Sequence, residues 1–184
     1  MRFELRPLRW REARQITRWR YPAPYAVYDL NTADMILALY LHPLWRLLGV
    51  ANFCAVRDEH GELVGMFQYM RHGDALEIGL ALRPDLTGKG LGLEFVRAGL
   101  AYGAGRFEPA AFRLDVAAFN ERARRVYERA GFRAVRVVPK PVGKRKLDTL
   151  EMVRVAVSGG AAPGDASGVG HAKAGHRGDG RLQR

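Results

Sequence analysis

The sequence predicts an α+β fold, and three observations carry that prediction. Short apolar, strand-like segments follow one another in the middle of the chain with turn residues between them. Two helical patterns in the second half flank a strand-like segment. A glycine-rich turn joins the end of one strand directly to the longer of those helices.

Taken in order, residues 3–7 read as a short strand. Residues 10–19 carry helical spacing through Trp10, Ala13, Ile16 and Thr17. Pro22 and Pro24 make residues 21–25 a loop, because neither continues a helix. Residues 32–41 suit a helix capped by Asn31 or Thr32. Strands are expected at 52–57, 63–70 and 75–82; Glu59-His60-Gly61-Glu62 and His72-Gly73-Asp74 between them are hairpin signals. Residues 91–102 form a helical pattern that is apolar on most sides and therefore buried. Residues 112–117 alternate as a strand, and residues 120–130 form an amphipathic helix. Gly131 suits the left-handed position that ends it, with apolar Phe132 next. Residues 133–138 and 147–157 read as the last strands. The order is one strand, two helices, three strands, then helix, strand, helix and two strands, without internal repeat.

Composition bounds the function. The 184 residues suit one domain with an appendage, and 48% hydrophobic residues suffice for a core. After Val157 the chain turns to Gly, Ala, Ser, His and Asp. That segment has too little apolar surface to offset its ordering entropy, so residues 1–157 are expected to be the domain and 158–184 a disordered tail. His171 and His176 in that tail read as solvated rather than metal-binding, and no metal is expected. Thirty Lys and Arg against 19 Asp and Glu give a net charge of +11, which attracts polyanions. A lone cysteine, Cys54, excludes an internal disulfide and reads as a buried thiol. No segment is long and apolar enough to span a membrane or to serve as a secretion signal, so a cytoplasmic protein without a membrane partner is expected.

The most specific signal lies between Glu77 and Gly92. A strand ends at Arg83-Pro84, and Thr87-Gly88-Lys89-Gly90-Leu91-Gly92 opens into a helix. Such a turn displays backbone N–H groups at a helix N-terminus, where negative charge is favoured. Two familiar phosphate motifs fail here. Gly88-Lys89 is followed by Gly90 rather than Ser or Thr, and Gly88-x-Gly90 is followed by Leu93 where a dinucleotide fingerprint has glycine. The bare alternative is a helix cap without a ligand.

Arg83-Pro84-x-x-Thr87-x-x-Gly90-x-Gly92 resembles motif A of the GNAT superfamily of acyl-CoA-dependent N-acyltransferases. Asn120 through Tyr127 to Gly131-Phe132 resembles the family's motif B. Thr87 stands where the family usually has Gln or Arg, which puts that side-chain contact in doubt and leaves the amides. The resemblance covers residues 1–157. It implies a sandwich-like α/β arrangement: a mixed, mostly antiparallel central sheet of six to seven strands with about four flanking helices.

It also implies a site. The amides of Thr87, Gly88, Lys89, Gly90, Leu91 and Gly92 would grip the diphosphate of acetyl-CoA, with Lys89 or Arg83 adding charge. Backbone groups of Leu80 and Leu82 would pair with the pantetheine arm, and Asn120 would hydrogen-bond it. Tyr127 would be the general acid toward the CoA sulfur; Glu77 would relay the amine proton through water. Each has a plainer alternative: Tyr127 as core, Asn120 as helix N-cap, Glu77 as a solvated strand-end carboxylate. Trp19, Tyr21, Tyr25, Tyr28 and Asp29 fall where the family places acceptor contacts, or else pack the core. The basic residues between Lys140 and Lys146 read as a solvated loop. The implied activity is acetyl transfer from acetyl-CoA to a primary amine on a small molecule, protein or peptide. The alternative is a non-catalytic module that binds acyl-CoA or nucleic acid, nucleic acid being the less favoured partner. A homodimer pairing the last strands is compatible with the pattern.

Overall fold

In the computed structural model, residues 1–30, 51–142 and 145–156 are described. The expected helix at 32–41 and the expected tail at 158–184 lie outside them. Seven strands form one sheet: β1 (Glu4–Pro7), β2 (Ala51–Arg57), β3 (Leu63–His72), β4 (Ala75–Leu82), β5 (Ala111–Ala117), β6 (Arg133–Val142) and β7 (Arg145–Val155). Three α-helices are described: α1 (Trp10–Ile16), α2 (Gly92–Phe107) and α3 (Glu121–Arg129).

The sheet order is β1-β2-β3-β4-β5-β7-β6. All neighbours are antiparallel except β4 and β5, which run parallel and are joined across α2. The hairpins expected at residues 59–62 and 72–74 are those linking β2 to β3 and β3 to β4. The basic stretch expected as a solvated loop is mostly strand, because β6 runs on to Val142. Lys140 belongs to it and pairs with Asp115 (2.7 Å) and Glu151 (2.8 Å) on neighbouring strands. Arg136 and Lys140 together hold the Glu151 carboxyl down to about 2.

Alternation sorts β5 between two faces. Phe112, Leu114 and Val116 pack with Leu76, Ile78, Phe95, Val96 and Tyr127 in the main core, under α2 and α3. A second core joins α1 to β2 and β3 through Ala13, Ile16, Trp19, Phe53 and Met66. Cys54 is a buried free thiol whose titration is pushed up by that burial. Helix α2 comes close to the sheet because Gly99 faces Phe67: a Cβ there would lie 2.2 Å from the ring. That close approach fixes the axis of α2, and so the position of the glycine turn at its start.

Candidate active site at the split between β4 and β5

Only three residue pairs join β4 to β5, from Ala75–Ala111 to Glu77–Arg113. Each strand continues: β4 stays on β3 as far as Leu82, and β5 stays on β7 as far as Ala117. The two therefore diverge and open a split in the sheet. The Arg83 N–H donates to the Val64 carbonyl, which fixes the alternation along β4. Leu80 and Leu82 accordingly turn their backbone N–H and C=O groups away from β3, into the split. On the opposite lip the Ala117 N–H points in as well, donating to the Tyr28 hydroxyl (3.2 Å).

The glycine turn stands at the mouth of this split. After β4, a 3₁₀ turn (Pro84–Leu86) is anchored by buried Leu86. Thr87 folds back on it, with both N–H and hydroxyl donating to the Pro84 carbonyl (3.2 and 2.8 Å). The outward-facing donors thus begin at Gly88. Gly88 and Gly90 have φ of +79° and +80°, a left-handed conformation that glycine adopts without strain. Gly88, Lys89 and Gly90 are exposed. Among the described residues, no hydrogen bond engages the amides of residues 88–92. The turn therefore presents donors that no described residue engages, at the N-terminus of a 16-residue helix, which fits a diphosphate.

Charge near the turn comes from a residue the sequence reading did not single out. The Arg122 Nη1 lies 3.7 Å from where a Cβ on Gly88 would stand, and its guanidinium covers the Tyr25 ring at 4.5 Å. Arg122, Arg125 and Arg129 share one face of α3 and, with Tyr25 and Phe119, line a cleft of about 470 Å³. Their i, i+3, i+7 spacing was the available signal. Arg83, the expected charge contact, is committed elsewhere: it holds Asp85 (2.8 Å) and the Leu63 carbonyl (3.1 Å).

Asn120 does two jobs at once. Its Oδ1 accepts from the Ala123 N–H (3.2 Å), capping α3, and its Nδ2 donates to the Tyr28 hydroxyl (3.3 Å) at the edge of the split. Tyr127, two turns further along α3, is buried with its ring edge-on to Phe132 at 6.1 Å. Burial raises its phenol well above the usual range, and the neighbouring Tyr28 and Tyr21 phenols add to that. Its hydroxyl makes no hydrogen bond to any described residue. Glu77 sits at the closed end of the split, its Oε2 3.2 Å from His72 Nε2 and 3.5 Å from Arg113 Nε. Among the aromatic residues weighed as acceptor contacts, Trp19 is core, whereas Tyr21 and Tyr28 reach the split. Among the described residues, no cluster of three or more His, Cys, Asp or Glu side chains is placed to hold a metal ion, and no helix is long and apolar enough to cross a membrane.

The profile of the acetyltransferase (GNAT) domain family matches residues 2–133, well over half of the chain. The chain belongs to the GNAT acetyltransferase family. It is an acyltransferase by that membership. No curated protein sequence matched it. Among solved structures, the spermidine N-acetyltransferase from Vibrio cholerae in complex with CoA and spermine superposes with a TM-score of 0.69 at 20% identity, covering 83% of this chain and 95% of that one. A chimera of that organism's SpeG and hSSAT gives 0.71 at 20% identity, with coverage of 84% and 96%. A dodecameric form of the same Vibrio cholerae enzyme gives 0.66 at 18% identity, with coverage of 83% and 93%. At these identities the likeness establishes the GNAT fold.

Proposed function

We propose that this GNAT acetyltransferase moves an acetyl group from acetyl-CoA to a primary amine by direct attack within a ternary complex. The observation that carries the proposal is the meeting of two features at one place. Amides at residues 88–92 that no described residue engages flank a split whose β4 lip turns backbone groups inward at Leu80 and Leu82. Acetyl-CoA brings an activated thioester, and its thiolate leaves.

The chain's own residues do the rest. The amides of Gly88, Lys89, Gly90, Leu91 and Gly92 hold the diphosphate, and Arg122 supplies the nearest guanidinium. Leu80 and Leu82 receive an extended arm as an added strand, with the Leu80 N–H directed at the thioester oxygen. Asn120 Nδ2 steadies the arm from the β5 side. Tyr127 keeps its proton at neutral pH and gives it to the departing sulfur. Glu77 stands about 10 Å along β4 from Leu80, at about 3.3 Å per residue. It therefore takes up the amine's proton only through intervening water, and half-exposed His72 leads that proton on toward solvent.

The acceptor is a primary amine. Spermidine belongs in the first panel because enzymes of like fold acetylate it; the net charge of +11 opposes the approach of a polycation. Thiol release from acetyl-CoA, measured against spermidine, neutral monoamines and N-terminal peptides, tests the proposal. Amine-dependent CoA release supports it. Acetyl-CoA binding without release for any amine would leave a binding module instead.

A further inference from the structure

Residues 21–28 cross the mouth of the split with one tyrosine hydroxyl on each lip. The Tyr21 hydroxyl donates to the Leu82 carbonyl (2.8 Å) on the β4 side. The Tyr28 hydroxyl accepts from the Ala117 N–H (3.2 Å) and from Asn120 Nδ2 (3.3 Å) on the β5 side. We infer that this segment is a strap that competes with the amide-bearing arm of the acyl carrier for the same three groups. The inference rests on the function proposed above, since it takes that arm to be what enters the split.

The chemistry of the contacts points to an amide as the competitor. Tyr21 supplies one donor to a strand carbonyl, as an amide N–H does. Tyr28 supplies one acceptor to a strand N–H and a side-chain amide, as an amide C=O does. Together the two phenols offer, across the gap, the donor and the acceptor of a peptide-like group. An arm built from amides satisfies the same three partners when the hydroxyls withdraw, so exchange leaves no polar group orphaned on either lip.

The strap is built to move as a unit. The Tyr21 N–H donates to Asp29 Oδ1 (2.8 Å) and closes the segment end to end. Within it the Tyr25 N–H donates to the Pro22 carbonyl (2.8 Å) and the Asp29 N–H to the Ala26 carbonyl (3.1 Å). Among the described residues, its other contacts with the body include those of the Tyr25 and Tyr28 rings with Phe119, at 6.1 and 6.4 Å, and the Arg122 guanidinium over Tyr25. Among the described residues, Arg122 is also the guanidinium beside the glycine turn. A diphosphate at the turn attracts it more strongly than a ring face does, because charge-assisted bonds to phosphate exceed a half-solvated cation–π contact. The carrier's phosphates thus loosen the strap from one side while its arm displaces the tyrosines from the other.

Tyr21→Phe and Tyr28→Phe test this with little risk to folding, since each removes one oxygen atom. Calorimetry compares CoA with adenosine 3′-phosphate 5′-diphosphate, which carries the phosphates without the arm. Tyr21→Phe is expected to bind CoA roughly two- to twelvefold more tightly, the equivalent of one net hydrogen bond, and Tyr28→Phe, which removes two, at least as much, with the arm-less nucleotide unchanged for both. Unchanged or weaker CoA binding overturns the strap, as does equal tightening for both ligands. Those outcomes leave the acyltransfer proposal standing. Failure of the unaltered protein to bind either ligand overturns both.

Discussion

Gly90 offers the sharpest handle on the glycine turn, because its surroundings admit a side chain and its backbone angle does not. A Cβ at Gly90 would meet no atom within 4 Å, yet its φ is +80°. Gly90→Ala therefore adds no clash, and its whole cost is the left-handed conformation, about 1–2 kcal/mol. The chain can hold the angle and lose that much stability. Alternatively it can relax the turn and turn the amides of residues 88–92 away from the diphosphate. The same free energy then appears as roughly 5- to 30-fold weaker CoA binding. Asparagine tolerates this conformation better than alanine, and a β-branched side chain tolerates it worst. Calorimetric affinity for CoA is thus expected to fall in the order Gly90, Asn, Ala, Val, with urea melts reporting the share that goes into stability. A folded Gly90→Val protein that is as stable as the parent in urea and also binds CoA as tightly would refute the reasoning, since the cost of the left-handed angle must appear in one or the other.

Three further substitutions probe separate parts of the argument. Tyr127→Phe is expected to lower kcat by about 10²-fold or more while the CoA Kd stays within about twofold, as for loss of a general acid; unchanged turnover removes Tyr127 from the mechanism. Glu12 is buried against Arg6 and Arg57 (2.8 and 2.7 Å), and although burial raises its titration, hydrogen bonds from the Arg9 N–H and those two guanidinium groups outweigh that and leave it below its ordinary 4.5. Its stabilisation is therefore complete above about pH 4.5 and is lost as pH falls through the folded value, so Glu12→Gln should flatten the acid side of a stability–pH curve; an unaltered slope contradicts the assignment. Gly99→Ala places a methyl 2.2 Å from buried Phe67 and should cost about 1–3 kcal/mol in a urea melt, whereas a neutral result would mean that α2 shifts freely.

Much of this architecture was legible in the chain because it is set by local chemistry. The β4 strand occupies residues 75–82 as the hairpin signals predict, and α3 starts one residue beyond its Asn120 cap. Helix α2 runs to Phe107, five residues further than its apolar pattern suggests, across Gly103 and Gly105; Gly103 is where the helix lies against the sheet, since a Cβ there would stand 2.9 Å from the Phe112 ring. Strand β6 likewise runs past Pro139 and Pro141. A proline lacks the N–H that an inner strand needs, but β6 lies at the edge of the sheet with β7 on one side alone.

Side-chain commitments were less legible, for a different reason. Thr87 turns its amide inward to Pro84, three residues back, and Arg83 is taken by Asp85, two residues on. Spacing alone does not say which of several nearby partners wins. Tyr21 finds Leu82 and Tyr28 finds Ala117 over 61 and 89 residues, distances at which no periodicity carries information. What makes those long-range pairings definite is the split itself. Once β4 and β5 part after Glu77 and Arg113, a row of strand donors and acceptors is left without a neighbouring strand, and buried backbone groups must be satisfied by something. The chain meets part of that demand with tyrosine hydroxyls, which hydrogen-bond as an amide does but leave more readily than a strand would. A full β4–β5 ladder would have stabilised the sheet and closed the site; divergence gives up those bonds and leaves a slot whose edges match an extended chain of amides.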